Sequence, residues 1–334
     1  MEYSQLIAAA ESNLKAKNIF DKYSLGDGNH SRIGAETNHV GRYNLQYFER
    51  FGFKFRLIDS REASTEITLF GRSFKTPIFG AALSGLNDIA DEPLAKLAAG
   101  LKDSGSMVWL GTATPQQLQE VLEVGAPTVR IVKPLRDIEA MVEELEEAEA
   151  AGAIAVGTDI TSFYGGKTGD RTYASRAVAP KSVDQLKRLR GATKLPFIVK
   201  GVLSAEDAEK ALAAGADAIV VSNHGGVVID YAAHPLEVLP EIKEVTGDRI
   251  PILADSGFRR GSDVMKALAL GADAVLVGWA LLMGLAADGS RGVSEMIDIL
   301  TAELQRIMSV TGCERPADID ARVLVERDYL VRRS

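Results

Sequence analysis

The stretch Ser222-Asn223-His224-Gly225-Gly226 sets one of the chain's four histidines where an apolar run, Ala218 to Val221, gives way to two glycines. An imidazole titrates near neutrality, so it suits general-base work once an acid orients it. Adjacent glycines let the backbone come close to something large. Three more polar groups interrupt equally apolar runs: Asp159 in AVGTD, Lys200 in FIVKGV and Asp255 in ILADSG. A lysine there is costly unless it meets negative charge. Two sources are open, an ion pair with Asp159 or Asp255, or an anionic ligand. Asp159 could equally hold His224 as an imidazolium. Gly257, Arg259 and Arg260 in ADSGFRRGSD, with Gly278 in VGWALL, combine freed backbone N–H groups with positive charge, which suits a phosphate. His30, His39 and His234 need only surface roles, and no metal-ligand spacing joins them.

These residues must be positioned by a repeated element. AEAAGAIAVGTDI, ALAAGADAIVVSNHGG and ALALGADAVLVGWAL each read as an amphipathic helix ending in glycine (Gly152, Gly215, Gly271), then a short β-branched run. Glycine stops the helix in a left-handed turn, and a fully apolar strand between helices signals a parallel sheet covered on both faces. The same reading outward gives strands at 76–83, 106–111, 128–134, 153–160, 196–202, 218–224, 251–257 and 274–281. Eight strand–helix units without a composition break favour a (β/α)8 TIM barrel over a doubly wound sheet. Residues 1–75 read as an N-terminal cap, with a helix near 2–20 and a hairpin in RLIDSREASTEITLFGRSF. The cap closes the barrel bottom and contributes to its mouth, and residues 76–334 form the barrel of a single structural domain. Chemistry in such barrels gathers at strand C-termini, where Asp159, Lys200, Ser222, His224 and Asp255 all fall.

The 334 residues carry a net charge of −8, which argues against a general nucleic-acid binder. One cysteine, Cys313, excludes an intrachain disulfide framework. The first twenty residues have no basic start followed by an apolar core, and no apolar run reaches about 18 residues. A cytoplasmic protein without a membrane partner is the expectation.

FIVKGVLSAEDAEKALAAGADAIVVSNHGG followed by ILADSGFRRGSDVMKALALGADAVLVG resembles the FMN-dependent 2-hydroxy-acid dehydrogenases and oxidases, densely over 196–312 and more weakly over 18–160. The resemblance implies FMN across the strand ends and net hydride loss from the α-carbon of a 2-hydroxy acid or a related, nonstandard substrate. It implies Lys200 beside the pyrimidine side of the flavin, His224 as base with Asp159 holding it, and Tyr23 as a substrate-binding tyrosine. Gly80, Ala81 and Ala82 would pass under the ring, and Asp255, Gly257, Arg259 and Gly278 would bind ribityl and phosphate, with Ser222 close by. It also implies a homo-oligomer, commonly a tetramer, a small-molecule substrate, and oxygen or another carrier as electron acceptor.

The departures are as informative. Val227 stands where the family has the arginine that grips the substrate carboxylate, a charge-assisted pair worth a few kcal/mol. The tyrosine of the third strand aligns with Arg130, its glutamine partner with Thr128, and small hydroxyl residues of strands two and four with Gly111 and Gly157. Trp279 replaces a phosphate-contacting arginine, and the loop after strand four is short, with Lys167 near the place of a second arginine. Either Arg130, with or without Lys167, has taken over anion binding, or the substrate is bulkier and lacks a carboxylate there. Two other classes share the scaffold: a non-redox flavin isomerase, which His224 disfavours, and a catalytically silent FMN- or phosphate-binding protein.

Overall fold

In the computed structural model, which describes residues 1–23, 35–164, 172–173 and 176–327, eight parallel strands close into a barrel. They are β1 (Ile78–Leu83), β2 (Val108–Leu110), β3 (Thr128–Val132), β4 (Ala155–Asp159), β5 (Phe197–Val202), β6 (Ala218–Val221), β7 (Ile252–Ala254) and β8 (Ala274–Val277). Each pairs with its neighbours in chain order, and β8 pairs back onto β1. All eight lie inside the segments read from the sequence. Lys167 and His30 lie outside the described residues.

The repeated glycine does what its position requires. Gly152, Gly215 and Gly271 have φ of 102°, 83° and 111°, a left-handed conformation that releases the chain from each helix toward the next strand. Alternate residues along every strand divide between two cores. Phe79, Trp109, Val129, Ile131, Ile198, Val220, Leu253 and Leu276 fill the barrel interior. Val108, Val132, Val156, Val199, Ile219 and Val275 face the helices instead. This division decides which polar residues reach the mouth.

The N-terminal segment works at both ends of the barrel. A hairpin, Ile67–Leu69 with Arg72–Phe74, sends Leu69 and Phe74 into the interior cluster. The strand Phe51–Phe53 pairs with Leu324–Glu326, a link between distant parts of the chain that no local pattern announces. Residues 35–50 lie over the mouth, where Asn44 and Asn223 exchange side-chain amide hydrogen bonds of 3.0 and 2.7 Å.

His234 is not a surface residue. It is fully buried, stacks on Tyr47 at 4.6 Å, and caps the helix Pro235–Thr246 by accepting the Leu236 N–H at Nδ1, 3.0 Å away. With Nδ1 an acceptor, Nε2 carries the proton and donates to the Asn44 carbonyl at 3.2 Å. Burial pushes its pKa down to about 3, so the ring is neutral. His39 is only half-buried and stacks on Tyr231 at 4.3 Å. Among the described residues no helix is long and apolar enough to cross a membrane.

Candidate active site

Lys200 alternates with the inward Ile198 on β5 and so points into the mouth. Its Nζ lies 3.0 Å from Asp255 Oδ2, 3.5 Å from Asp159 Oδ2 and 3.1 Å from Ser222 Oγ. Both carboxylates left open by the sequence therefore meet it. Burial by itself would lower the lysine's pKa; Asp159 and then Asp255 outweigh that and raise it above the ordinary value. Burial would likewise raise Asp159, yet Lys200 and then His224 hold it well below the usual carboxylate range. A cation and an anion thus stay charged in a water-poor place, each because of the other.

His224 follows β6 with φ of 55°, a left-handed conformation rare outside glycine. Ser222 Oγ accepts its backbone N–H at 3.0 Å, which helps to fix this turn. The ring meets β4 through Nδ1, 3.2 Å from Asp159 Oδ2 and 2.6 Å from Thr161 Oγ1. With Nδ1 engaged, Nε2 is the nitrogen left to face a ligand. Gly226, at φ 86°, is overlaid by Val40 and Gly41; a Cβ there would come within 2.9 Å of Val40 Cβ. Gly226 therefore admits the N-terminal segment, whereas a Cβ on Gly225 would meet open space.

Beyond β7 and β8 the expected phosphate site shows an unmet need. Arg259 is half-buried and stacks over Trp279 at 4.0 Å, and its buried Nε and Nη2 have no hydrogen-bond partner. Buried guanidinium N–H groups without acceptors are costly, and a phosphate would satisfy them. Gly278 caps the helix beginning at Trp279, adding N–H groups and a positive helix end. Gly257, at φ 90°, brings the backbone against Asn44. Trp279 itself does not replace the arginine's charge: its Nε1 donates to the Tyr23 carbonyl at 3.2 Å, and its ring supports Arg259.

Several expected site residues lie elsewhere. Arg130 sits on the outward face of β3, where Nη2 reaches Glu144 Oε2 at 3.2 Å and the Ala113 carbonyl at 3.3 Å. It points to the helix layer and is not placed to anchor a substrate. Thr128 begins the same strand at the end remote from the mouth, and its hydroxyl donates to the Ala126 carbonyl at 2.8 Å. Neither reaches a cofactor at the strand C-termini. A Cβ on Gly80 would meet Leu101 Cδ1 at 2.5 Å and Leu281 Cδ1 at 3.0 Å, so this glycine admits helix packing, not a ring. Ala81 and Ala82 do pack against the interior cluster, and Gly111 abuts the Ala82 carbonyl. Tyr23 directs its hydroxyl to Asp88 Oδ1 at 2.5 Å, beside Lys22 at 2.6 Å, in the loop after β1.

Two residues not singled out in the sequence complete the mouth. Lys133, one step past β3, continues the inward alternation of Val129 and Ile131, and its Nζ donates to Ser162 Oγ at 3.0 Å. Its charge also lowers Asp159. Strict alternation would have found it, but Arg130 and Lys133 fall on opposite faces of this stretch, so its phase is ambiguous from sequence. Thr161 could not be seen at all, because its partners come from β4 and β6.

A closed parallel barrel with a lysine, an imidazole–carboxylate pair and a guanidinium fork around its C-terminal mouth defines a barrel enzyme fitted to hold a phosphate-bearing cofactor beside a general base. The comparisons specify which. The family model described as FMN-dependent dehydrogenase matches residues 29–171 and 163–326, and the chain belongs to that family. A peroxisomal (S)-2-hydroxyacid oxidase, GLO3, from Arabidopsis thaliana is 34% identical over 86% of this chain and 88% of its own. An L-lactate oxidase from Nostoc sp. is 32% identical over 97% and 96%. A solved mandelate oxidase with (S)-2-phenylpropionate superposes with a TM-score of 0.85 at 31% identity, covering 97% of each chain. FMN is the cofactor, and this chain is an FMN-dependent oxidoreductase. Arg259 and the Gly278 helix start would hold its phosphate, and Lys200 its ring.

Proposed function

We propose that this chain oxidises a 2-hydroxy acid to the 2-oxo acid and passes the electrons to oxygen, releasing hydrogen peroxide. The observation that carries this reading is the convergence of Lys200, His224 and Asp159 at one end of the barrel. FMN supplies the two-electron acceptance. His224 Nε2 takes the proton of the substrate hydroxyl as the carbonyl forms. Asp159, kept ionised by Lys200, balances the imidazolium that results. Lys200 offers a fixed positive charge where negative charge grows on the reduced cofactor.

Val227 offers no grip for a carboxylate, and Arg130 faces away. Lys133 continues the inward face of β3 beside Asp159, and we assign the substrate carboxylate to it. An ammonium gives one point contact instead of a bidentate fork, which suits weak binding of small acids and leaves room for larger ones. Anaerobic bleaching of the yellow enzyme by a panel of 2-hydroxy acids and their uncharged amides tests this. Acids should bleach it, and His224→Asn should slow bleaching by about 100-fold or more. Lys133→Met should raise KM for acids by about tenfold while leaving amides unchanged. Preference for amides, unaffected by Lys133→Met, would point to the uncharged substrate; no bleaching by any compound would point to a silent FMN binder. The assembly is proposed as a homo-oligomer, supported by Phe55, Leu57 and Ile58, which are 72%, 56% and 93% exposed. Light scattering checks it.

A further inference from the structure

We propose that Thr161 is a positioning residue, the hydroxyl through which Asp159 sets the orientation and tautomer of His224. This rests on the reading of His224 as the base. Thr161 Oγ1 lies 2.5 Å from Asp159 Oδ1 and 2.6 Å from His224 Nδ1, while the direct approach of Nδ1 to Asp159 Oδ2 is longer, 3.2 Å.

A hydroxyl has one hydrogen to give and lone pairs to receive. An ionised carboxylate can only accept, and Lys200 keeps Asp159 ionised. The threonine hydrogen therefore goes to Asp159, and the same oxygen accepts from the imidazole. Nδ1 must then carry a proton, which leaves the Nε2 lone pair free for the substrate hydroxyl. When the substrate O–H bond breaks, its proton moves to Nε2 and the bonding pair stays on the substrate oxygen. Nδ1–H remains in place, and Asp159 receives no proton.

The local structure is built around this threonine. Its backbone N–H also donates to Asp159 Oδ1, at 3.1 Å, so amide and hydroxyl bracket one carboxylate oxygen. Across the interface, pairing of β5 with β6 shifts register between Lys200 and Val202. The intervening Gly201 has φ of 98°, and a Cβ on it would come within 2.5 Å of Thr161 Cγ2 and 3.3 Å of Asp159 Oδ1. The bulge that follows the lysine thus opens the seat that the threonine methyl fills.

The test compares Thr161→Val, which keeps the shape and removes the hydroxyl, with Thr161→Ser, which keeps the hydroxyl. In FMN-loaded protein labelled with 15N-histidine, a strongly hydrogen-bonded Nδ1–H resonance of His224 is expected. His224→Asn identifies it; it should persist in the serine variant and vanish in the valine variant. Anaerobic cofactor reduction at saturating substrate should fall about tenfold or more in Thr161→Val with KM little changed, and return to within about threefold of wild type in Thr161→Ser. Should the valine variant not hold FMN, Thr161→Ala takes its place with the same expectations. An unaltered resonance or wild-type reduction in Thr161→Val overturns the proposal, as does a serine variant no faster than the valine. If no 2-hydroxy acid reduces the wild-type enzyme, the functional reading fails, and the resonance still decides the threonine's role.

Discussion

His234 ties stability to the site in a way that acid should expose. Its imidazole is fully buried, and its pKa is about 3 against 6.5 in an unfolded chain. Below about pH 6.5 the unfolded state takes up a proton that the folded state refuses, so stability present at neutral pH is lost progressively as pH falls toward 3. At pH 5 the unfolded ring lies about 1.5 pH units below its midpoint while the folded ring is still neutral. At about 1.4 kcal/mol per unit, the loss relative to pH 8 is about 2 kcal/mol from this residue alone. His234→Asn removes the titration and retains an oxygen acceptor for the Leu236 N–H, asparagine being a favoured helix cap. Urea unfolding of both proteins, saturated with FMN, at about pH 8 and about pH 5 isolates the term, since every other titrating group is shared. The variant should lose about 2 kcal/mol less than wild type over that interval. Equal losses would refute the buried neutral histidine.

Other expectations follow from individual contacts. Arg259→Ala should weaken FMN binding by about 10- to 100-fold, the worth of hydrogen bonds to a charged group, in a fluorescence-quenching titration; unchanged affinity would remove the guanidinium from the phosphate site. Arg130→Met should leave kcat/KM for the substrate within about twofold, since the side chain faces Glu144, which keeps its ion pair with Arg176; a large rise in KM would restore it as an anchor. Gly201→Ala should cost about 1–3 kcal/mol in unfolding free energy, because its φ of 98° disfavours a side chain, and slow cofactor reduction by displacing Thr161. Wild-type behaviour would mean that the seat is loose.

Much of this was legible in the sequence. The glycine-ended helices and β-branched runs specify eight strands because helix termination and strand burial are local properties. The polar residues at the strand ends stand out because an apolar run tolerates charge only with a partner. What the chain order alone could not fix was phase and partnership. Arg130 lies in β3 and Lys133 just past its end, three residues on, and only closure of the barrel decides that the first faces helices and the second the mouth. Thr161 and His234 look like ordinary loop and cap residues; their partners, His224 and Asn44, lie 63 and 190 positions away. Local composition determined the elements and the inventory of chemical groups. Tertiary structure chose among those groups, since a hydrogen bond depends on distance and direction across strands that the sequence order does not encode.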